Sequence, residues 1–173
     1  LGVFDSLVKG SSGQRIEASK ASPDPDRIKV IRSAYAEAKK KIASNDKSEV
    51  RHDMQVVIRN QSWGPPETTE LNFYFDEASA DEGFSLYFVS EHRHHNKMGP
   101  DSYSEYLFAP KSRQLMFSFT SASEEGEKYE RRYYYNTKGQ CIEVKTNTED
   151  QDYGLVDKKT ANRYLEVFQK LTQ

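Results

Sequence analysis

Three of the four histidines in this 173-residue chain fall inside one short run, Glu91-His92-Arg93-His94-His95. On an extended strand alternate side chains share a face, so His92 and His94 point the same way and their imidazoles could chelate one metal ion. A tight site takes a third and usually a fourth protein ligand, and none stands out in the sequence. The run also borders Asn96-Lys97-Met98-Gly99-Pro100, an evident loop. A solvated strand end therefore explains the same residues without a metal. His92 and His94 stand as candidate metal ligands on their spacing alone.

Other chemistry is harder to find. The chain has no H-E-x-x-H, P-loop or G-x-G-x-x-G motif, and no G-x-S-x-G elbow. Serines and carboxylates are so abundant that a Ser/His/Asp set can be assembled at will, which makes any such set uninformative. Paired acids such as Glu124-Glu125 and Glu149-Asp150 sit in polar turns, where solvation accounts for them better than a glycosidase pair does. Cys141 is the single cysteine, so no internal disulfide forms; its place just after a turn reads as a small half-buried residue. We nominate no catalytic residue and no cofactor, and an enzyme is the less favoured class.

Composition narrows the field further. The net charge is −2 with both signs mixed, and 30% of residues are charged. A general nucleic-acid binder needs a basic excess to neutralise phosphates, so nucleic acid is not expected as a partner. No run approaches the roughly 20 apolar residues of a membrane span. Eleven tyrosines and nine phenylalanines make the core aromatic, with tyrosine hydroxyls reaching water or a hydrogen-bond partner.

The elements that must position any site read as a block of strands between two helices. Residues 1–22 are Gly/Ser-rich and form an expected flexible arm; 23–173 form one α+β domain. The chain starts at Leu1, and an upstream export leader is expected to have preceded it. Asp24 suits an N-cap and Pro25 the first helical position. Ile28, Ile31, Tyr35, Ala38 and Ile42 then form one stripe, and Lys39, Lys40 and Lys41 fall in the last turn, favouring the helix dipole. Strands are predicted over about 54–60, 69–76, 84–94, 103–109, 113–121, 128–136 and 140–147. Short connections make them an antiparallel, meander-like sheet of six or seven strands. The last two pairs form hairpins that resemble each other at a 27-residue offset, Tyr106–Phe117 echoed by Tyr133–Val144. A second helix begins near Asp157 as N-cap, with Val156 stapled to Ala161 and a stripe of Ala161, Tyr164, Leu165, Phe168 and Leu171. Both helices are expected to pack on the sheet; both on one face is one arrangement, and the sequence does not say which face each covers. Neighbouring architectures are a cystatin-like or NTF2-like cone and a β-lactamase-inhibitor-like sandwich; these analogies license no function.

Strict alternation puts Leu71, Phe73, Leu86, Phe88 and Phe117 on one sheet face. Opposite them fall Val57, Arg59, Tyr74, Tyr87, Val89, Leu107, Met116, Arg132 and Tyr134. Tyrosine and arginine are enriched at recognition hot spots. Arg59, Tyr74, Tyr87, Met116, Arg132 and Tyr134 are therefore candidate ligand- or partner-binding residues. Trp63, in a Trp-Gly-Pro-Pro loop, joins them as an amphipathic anchor. A helix or the arm covering that face would make the same residues core.

The segments Ile31-Arg32-Ser33-Ala34-Tyr35-Ala36-Glu37-Ala38-Lys39, Glu105-Tyr106-Leu107-Phe108 and Arg132-Tyr133-Tyr134-Tyr135-Asn136 with Gly139-Gln140 resemble those of small uncharacterised exported proteins of Bacteroidetes. The resemblance covers roughly 25–148. It implies a secreted, periplasmic or envelope-anchored location and carries over no catalytic residue. Three functions remain: a non-enzymatic recognition domain binding a protein or small molecule at the Tyr/Arg face, with self-association as a variant; a metal-binding protein through His92 and His94; and a small NTF2-like pocket enzyme.

Overall fold

The computed structural model describes residues 20–48, 50–60, 66–79, 81–95, 101–149 and 152–173. Asp24 starts the first helix as its type suggests. Its side chain accepts the Arg27 amide at 3.0 Å, and α1 runs Pro25–Ala43 with proline in the first turn. Seven strands follow: β1 His52–Asn60, β2 Glu67–Glu77, β3 Phe84–His95, β4 Ser102–Phe108, β5 Leu115–Glu124, β6 Glu127–Tyr135 and β7 Cys141–Thr146. They pair antiparallel in chain order, β1 to β7, as one meander sheet. A second helix, α2 Leu155–Leu171, closes the domain.

The two helices lie on opposite faces of the sheet, a choice the sequence left open. Ile28, Ile31 and Ala38 of α1 pack with Tyr87, Phe88, Leu107, Met116, Phe117 and Tyr134. Ala161, Tyr164 and Phe168 of α2 pack with Leu71, Phe73, Leu86, Val89, Tyr106, Tyr133 and Tyr135. The sheet is apolar on both faces, so each face needs its own cover. Both helices cross the strands in the same sense. In α1, Arg27 reaches the Tyr135 carbonyl, Tyr35 and Lys39 reach Glu105 in β4, and Lys41 reaches Asp76 in β2. In α2, the Gly154 carbonyl takes the Tyr135 hydroxyl, Asp157 takes Ser118, Tyr164 reaches Glu91, and Phe168 stacks on Phe73. The lysine run of α1 thus serves the sheet as well as the helix dipole, because Lys39 and Lys41 end on carboxylates of the strands.

Three β-bulges decide which residues share a face. Tyr74 pairs with Phe88 but Phe75 with Leu86, leaving Tyr87 extra. Leu107 pairs with Phe117 but Phe108 with Leu115, leaving Met116 extra. Tyr134 pairs with Glu143 but Tyr135 with Cys141, leaving Ile142 extra. An extra residue shifts the alternation by one position from there on. Phe88 and Phe117 accordingly sit against α1, and Val89 sits against α2, each on the face opposite to the one strict alternation assigns. The two similar hairpins share this device, with bulges at Met116 and Ile142; the β2–β3 hairpin carries it too.

The start of α2 also differs from the expected cap. Gly154, at φ 73°, is the N-cap, and Asp152 supplies the capping carboxylate to the Gly154 and Val156 amides. Asp157 lies in the first turn, where it accepts the Ser118 hydroxyl at 2.7 Å. Val156 is exposed, so it makes no staple with Ala161. Leu171 is exposed as well, because its turn follows Phe168, the last residue of the helix to reach the β2 aromatics.

Burial holds the hydroxyls of Tyr106 and Tyr135 well above the ordinary tyrosine range. Burial, then the Glu105 carboxylate, does the same to Tyr35 and Tyr103. Tyr87 is pushed up to about 12, by burial first and then by Asp76. The fold therefore favours the neutral phenols. Their contribution is complete below roughly pH 10, where an unfolded tyrosine ionises, and is lost as the pH rises beyond it. Alkaline titration followed by phenolate absorbance reads this loss. The buried set of phenolates should form in one step that coincides with loss of the far-ultraviolet circular dichroism. A single gradual titration with the fold intact would contradict this.

Candidate functional site

The α1 face of the sheet is longer than α1 covers. Cross-strand pairing arranges this face in rows, and the row Tyr74, Phe88, Leu107, Phe117, Tyr134 lies under the helix. The next row runs Asn72, Ser90, Glu105, Phe119, Arg132. Here α1 makes its polar anchor. Tyr35 donates to one Glu105 oxygen at 2.5 Å, and Lys39 and Tyr103 donate to the other at 2.6 and 2.7 Å. The Glu105 side chain is 3% exposed, so the ammonium and two hydroxyls replace the water its carboxylate has lost. The opposite face has a counterpart: buried Glu91 takes the Tyr164 hydroxyl from α2 and the Arg93 guanidinium at 2.5 Å. Burial raises the Glu91 carboxyl above its usual range, against the opposing pull of Arg93.

This arrangement decides the fate of the Tyr/Arg face. Tyr87, Met116 and Tyr134 are buried beneath α1. Tyr74 is half-buried, edge-on to Phe88 with ring centroids 6.1 Å apart. These four serve the helix–sheet interface rather than forming an open surface. The cause is α1 itself, whose apolar stripe has no other surface to bury. Arg59 is exposed on β1, opposite Thr68 and beyond the reach of α1. Trp63 lies outside the described residues.

Arg132 keeps an accessible position. It lines a cleft of about 210 Å³ at the margin of α1, with Ile31, Arg32, Tyr35, Phe117, Phe119 and Tyr134. The Arg132 guanidinium sits 4.7 Å over the Phe119 ring, and that of Arg32 lies 5.7 Å from the Tyr134 ring. Each has a carboxylate neighbour, Glu130 at 3.2 Å and Glu143 at 3.8 Å. A guanidinium has five N–H donors, so one carboxylate at this range leaves donors for a ligand. The apolar floor and paired guanidinium groups suit a flat molecule bearing an anionic group.

One row further along the same face, His92 pairs across strands with Glu70 on one side and Tyr103 on the other. The His92 and His94 rings are 3.7 Å apart. With Glu70 they present three ligand atoms, all within 4.8 Å of one another. His94 Nε2 is 4.0 Å from Glu70 Oε2, while its Nδ1 is 3.8 Å from Asp101 Oδ1. His95 points to the other face, 3.8 Å from Glu67. The structure thus joins the two candidate histidines and adds Glu70 and Asp101, which spacing alone did not single out. No family model, curated protein or solved structure matches this chain. Among the described residues no helix is long and apolar enough to cross a membrane.

Proposed function

We propose that this domain binds rather than transforms its ligand, and that the recognition site is the cleft between α1 and the β5–β6 hairpin. The observation that carries it is the pair of guanidinium groups, Arg32 and Arg132, set over aromatic rings at the rim of an apolar cleft. Both side chains are accessible, at 53% and 38% exposure. The volume of about 210 Å³ is below the usual range for a drug-sized ligand. It fits one planar group: a small aromatic carboxylate, or an acidic or aromatic anchor presented by a partner. An exported location belongs to the same proposal, supported by the resemblance to exported Bacteroidetes proteins.

Titration of the isotope-labelled protein with indole-3-carboxylate tests this. Amide shifts are expected to concentrate at Arg32, Tyr35, Phe119 and Arg132. Substituting Arg132→Gln together with Arg32→Gln should weaken binding about tenfold or more, as the charge-assisted hydrogen bonds are lost. The neutral indole-3-carboxamide should bind more weakly by a similar factor. Equal binding of acid and amide, or shifts scattered away from the cleft, would remove the reading.

A further inference from the structure

We propose that Glu70, His92 and His94 form a coordination site for one first-row divalent transition ion of the zinc class, with Asp101 orienting His94. The site lies apart from the cleft, on the end of the sheet face that α1 leaves uncovered.

The register builds it. Counting back along the β2–β3 hairpin from the Glu77–Phe84 pair without an extra residue would set Glu91 opposite Glu70. Both histidines would then lie on the α2 face, away from Glu70. The bulge at Tyr87 adds one residue, and the observed pair is Glu70 with His92. The same extra residue that turns Phe88 toward α1 therefore carries both imidazoles to the side of the Glu70 carboxylate. This places a third ligand on a different strand from the first two, and the paired strands β2 and β3 hold the group.

The donor set indicates the ion. Two imidazoles and a carboxylate with remaining positions open suit zinc, and also cobalt, nickel or copper; magnesium and calcium prefer oxygen throughout. A tetrahedral ion with bonds of about 2.0–2.1 Å holds its ligand atoms roughly 3.4 Å apart. The three ligand atoms lie within 4.8 Å of one another, so side-chain rotation must bring them onto the ion. His94 offers Nε2 toward Glu70 and turns Nδ1 toward Asp101. At 3.8 Å the Asp101 carboxylate is near this nitrogen without hydrogen-bonding it; on closing it would select the tautomer and orient the ring, the usual outer-shell arrangement of such sites. Tyr103 stands beside His92, ring centroids 6.1 Å apart and nearly perpendicular, and its hydroxyl is tied to Glu105. It packs against one flank of His92.

The test uses untagged full-length protein stripped with a chelator and dialysed free of it. Calorimetric titration with Zn2+ is expected to give one ion per chain, and Co2+ should give visible bands that Zn2+ abolishes. His92→Ala, His94→Ala and Glu70→Gln should each weaken binding by about tenfold or more, and Asp101→Asn by about tenfold. His95→Ala, on the opposite face, should leave the isotherm unchanged, and excess Mg2+ should not compete. All variants change accessible side chains, so circular dichroism should match the parent. Several weak ions per chain, or equal loss in His95→Ala, would show adventitious binding and overturn the site. Full affinity in Glu70→Gln with loss in the histidine variants would show a histidine pair only and overturn the three-ligand centre.

Discussion

Replacing Gly154 with alanine is expected to destabilise the domain by about 2–5 kcal/mol, the largest such cost among the described glycines. Two causes add. Gly154 has φ 73°, a left-handed conformation that costs an L-residue about 1–2 kcal/mol. A Cβ there would also stand 2.2 Å from the Tyr135 hydroxyl oxygen and 2.8 Å from Cγ of Tyr133. Both rings are buried and Tyr135 donates to the Gly154 carbonyl, so neither can swing aside cheaply. Overpacking of this kind typically adds 1–3 kcal/mol. For a domain whose total stability is roughly 5–15 kcal/mol, a loss of this size lowers the melting temperature by about 4–20 °C. Gly83→Ala and Gly126→Ala separate the two causes. Both glycines have positive φ but open space around the missing Cβ, so each should cost only the conformational part, about 1–2 kcal/mol. If Gly154→Ala melts with these controls, the packing of α2 onto Tyr133 and Tyr135 is looser than described.

Removing the Glu105 carboxylate is expected to cost about 2–6 kcal/mol and to loosen α1 selectively. Glu105→Ala leaves the Tyr35 and Tyr103 hydroxyls without their acceptor and Lys39 without its counter-ion. Each unpaired, partly buried polar group costs about 1–3 kcal/mol, and the half-exposed lysine adds little. Hydrogen exchange reads the consequence. Amides of Pro25–Ala43 should exchange faster in Glu105→Ala while those of Leu155–Leu171 keep their protection. Glu91→Ala, which removes the anchor of Tyr164 and Arg93, should do the reverse. Equal loosening of both helices in both variants would mean that the two faces unfold as one unit. The control matters for function, since Glu105 also holds Tyr103 beside His92 and Tyr35 in the wall of the cleft.

Much of the architecture was legible in the chain because it depends on local chemistry. Asp24-Pro25 announces the start of α1 through an orphan amide and a fixed φ, and the structure puts the cap there. The seven strands follow from alternating apolar residues and turn residues between them, with ends within a few positions of those predicted. The second helix was visible from its stripe but not from its cap, since the capping carboxylate of Asp152 acts from outside the helix and across a left-handed glycine.

The sites were legible only in fragments. His92 and His94 share a face by strand geometry alone, and Arg132 was a candidate by residue type. Glu70 was invisible as their partner because pairing depends on a bulge, and a single inserted residue exchanges the two faces of everything that follows. Arg32 was hidden inside a helical stripe, with no indication of which sheet face the helix would choose.

Local periodicity and caps, read from the sequence by itself, determined an α+β chain with one helix, an antiparallel meander and a second helix. Tertiary structure alone decided that the helices take opposite faces, that Tyr87, Met116 and Tyr134 become core, and that Glu70 meets His92. The reason is that backbone hydrogen bonding and local sterics act over a few residues, whereas register and face are set by how bulges at Tyr87, Met116 and Ile142 sum across a sheet and by which apolar surface remains for each helix to bury.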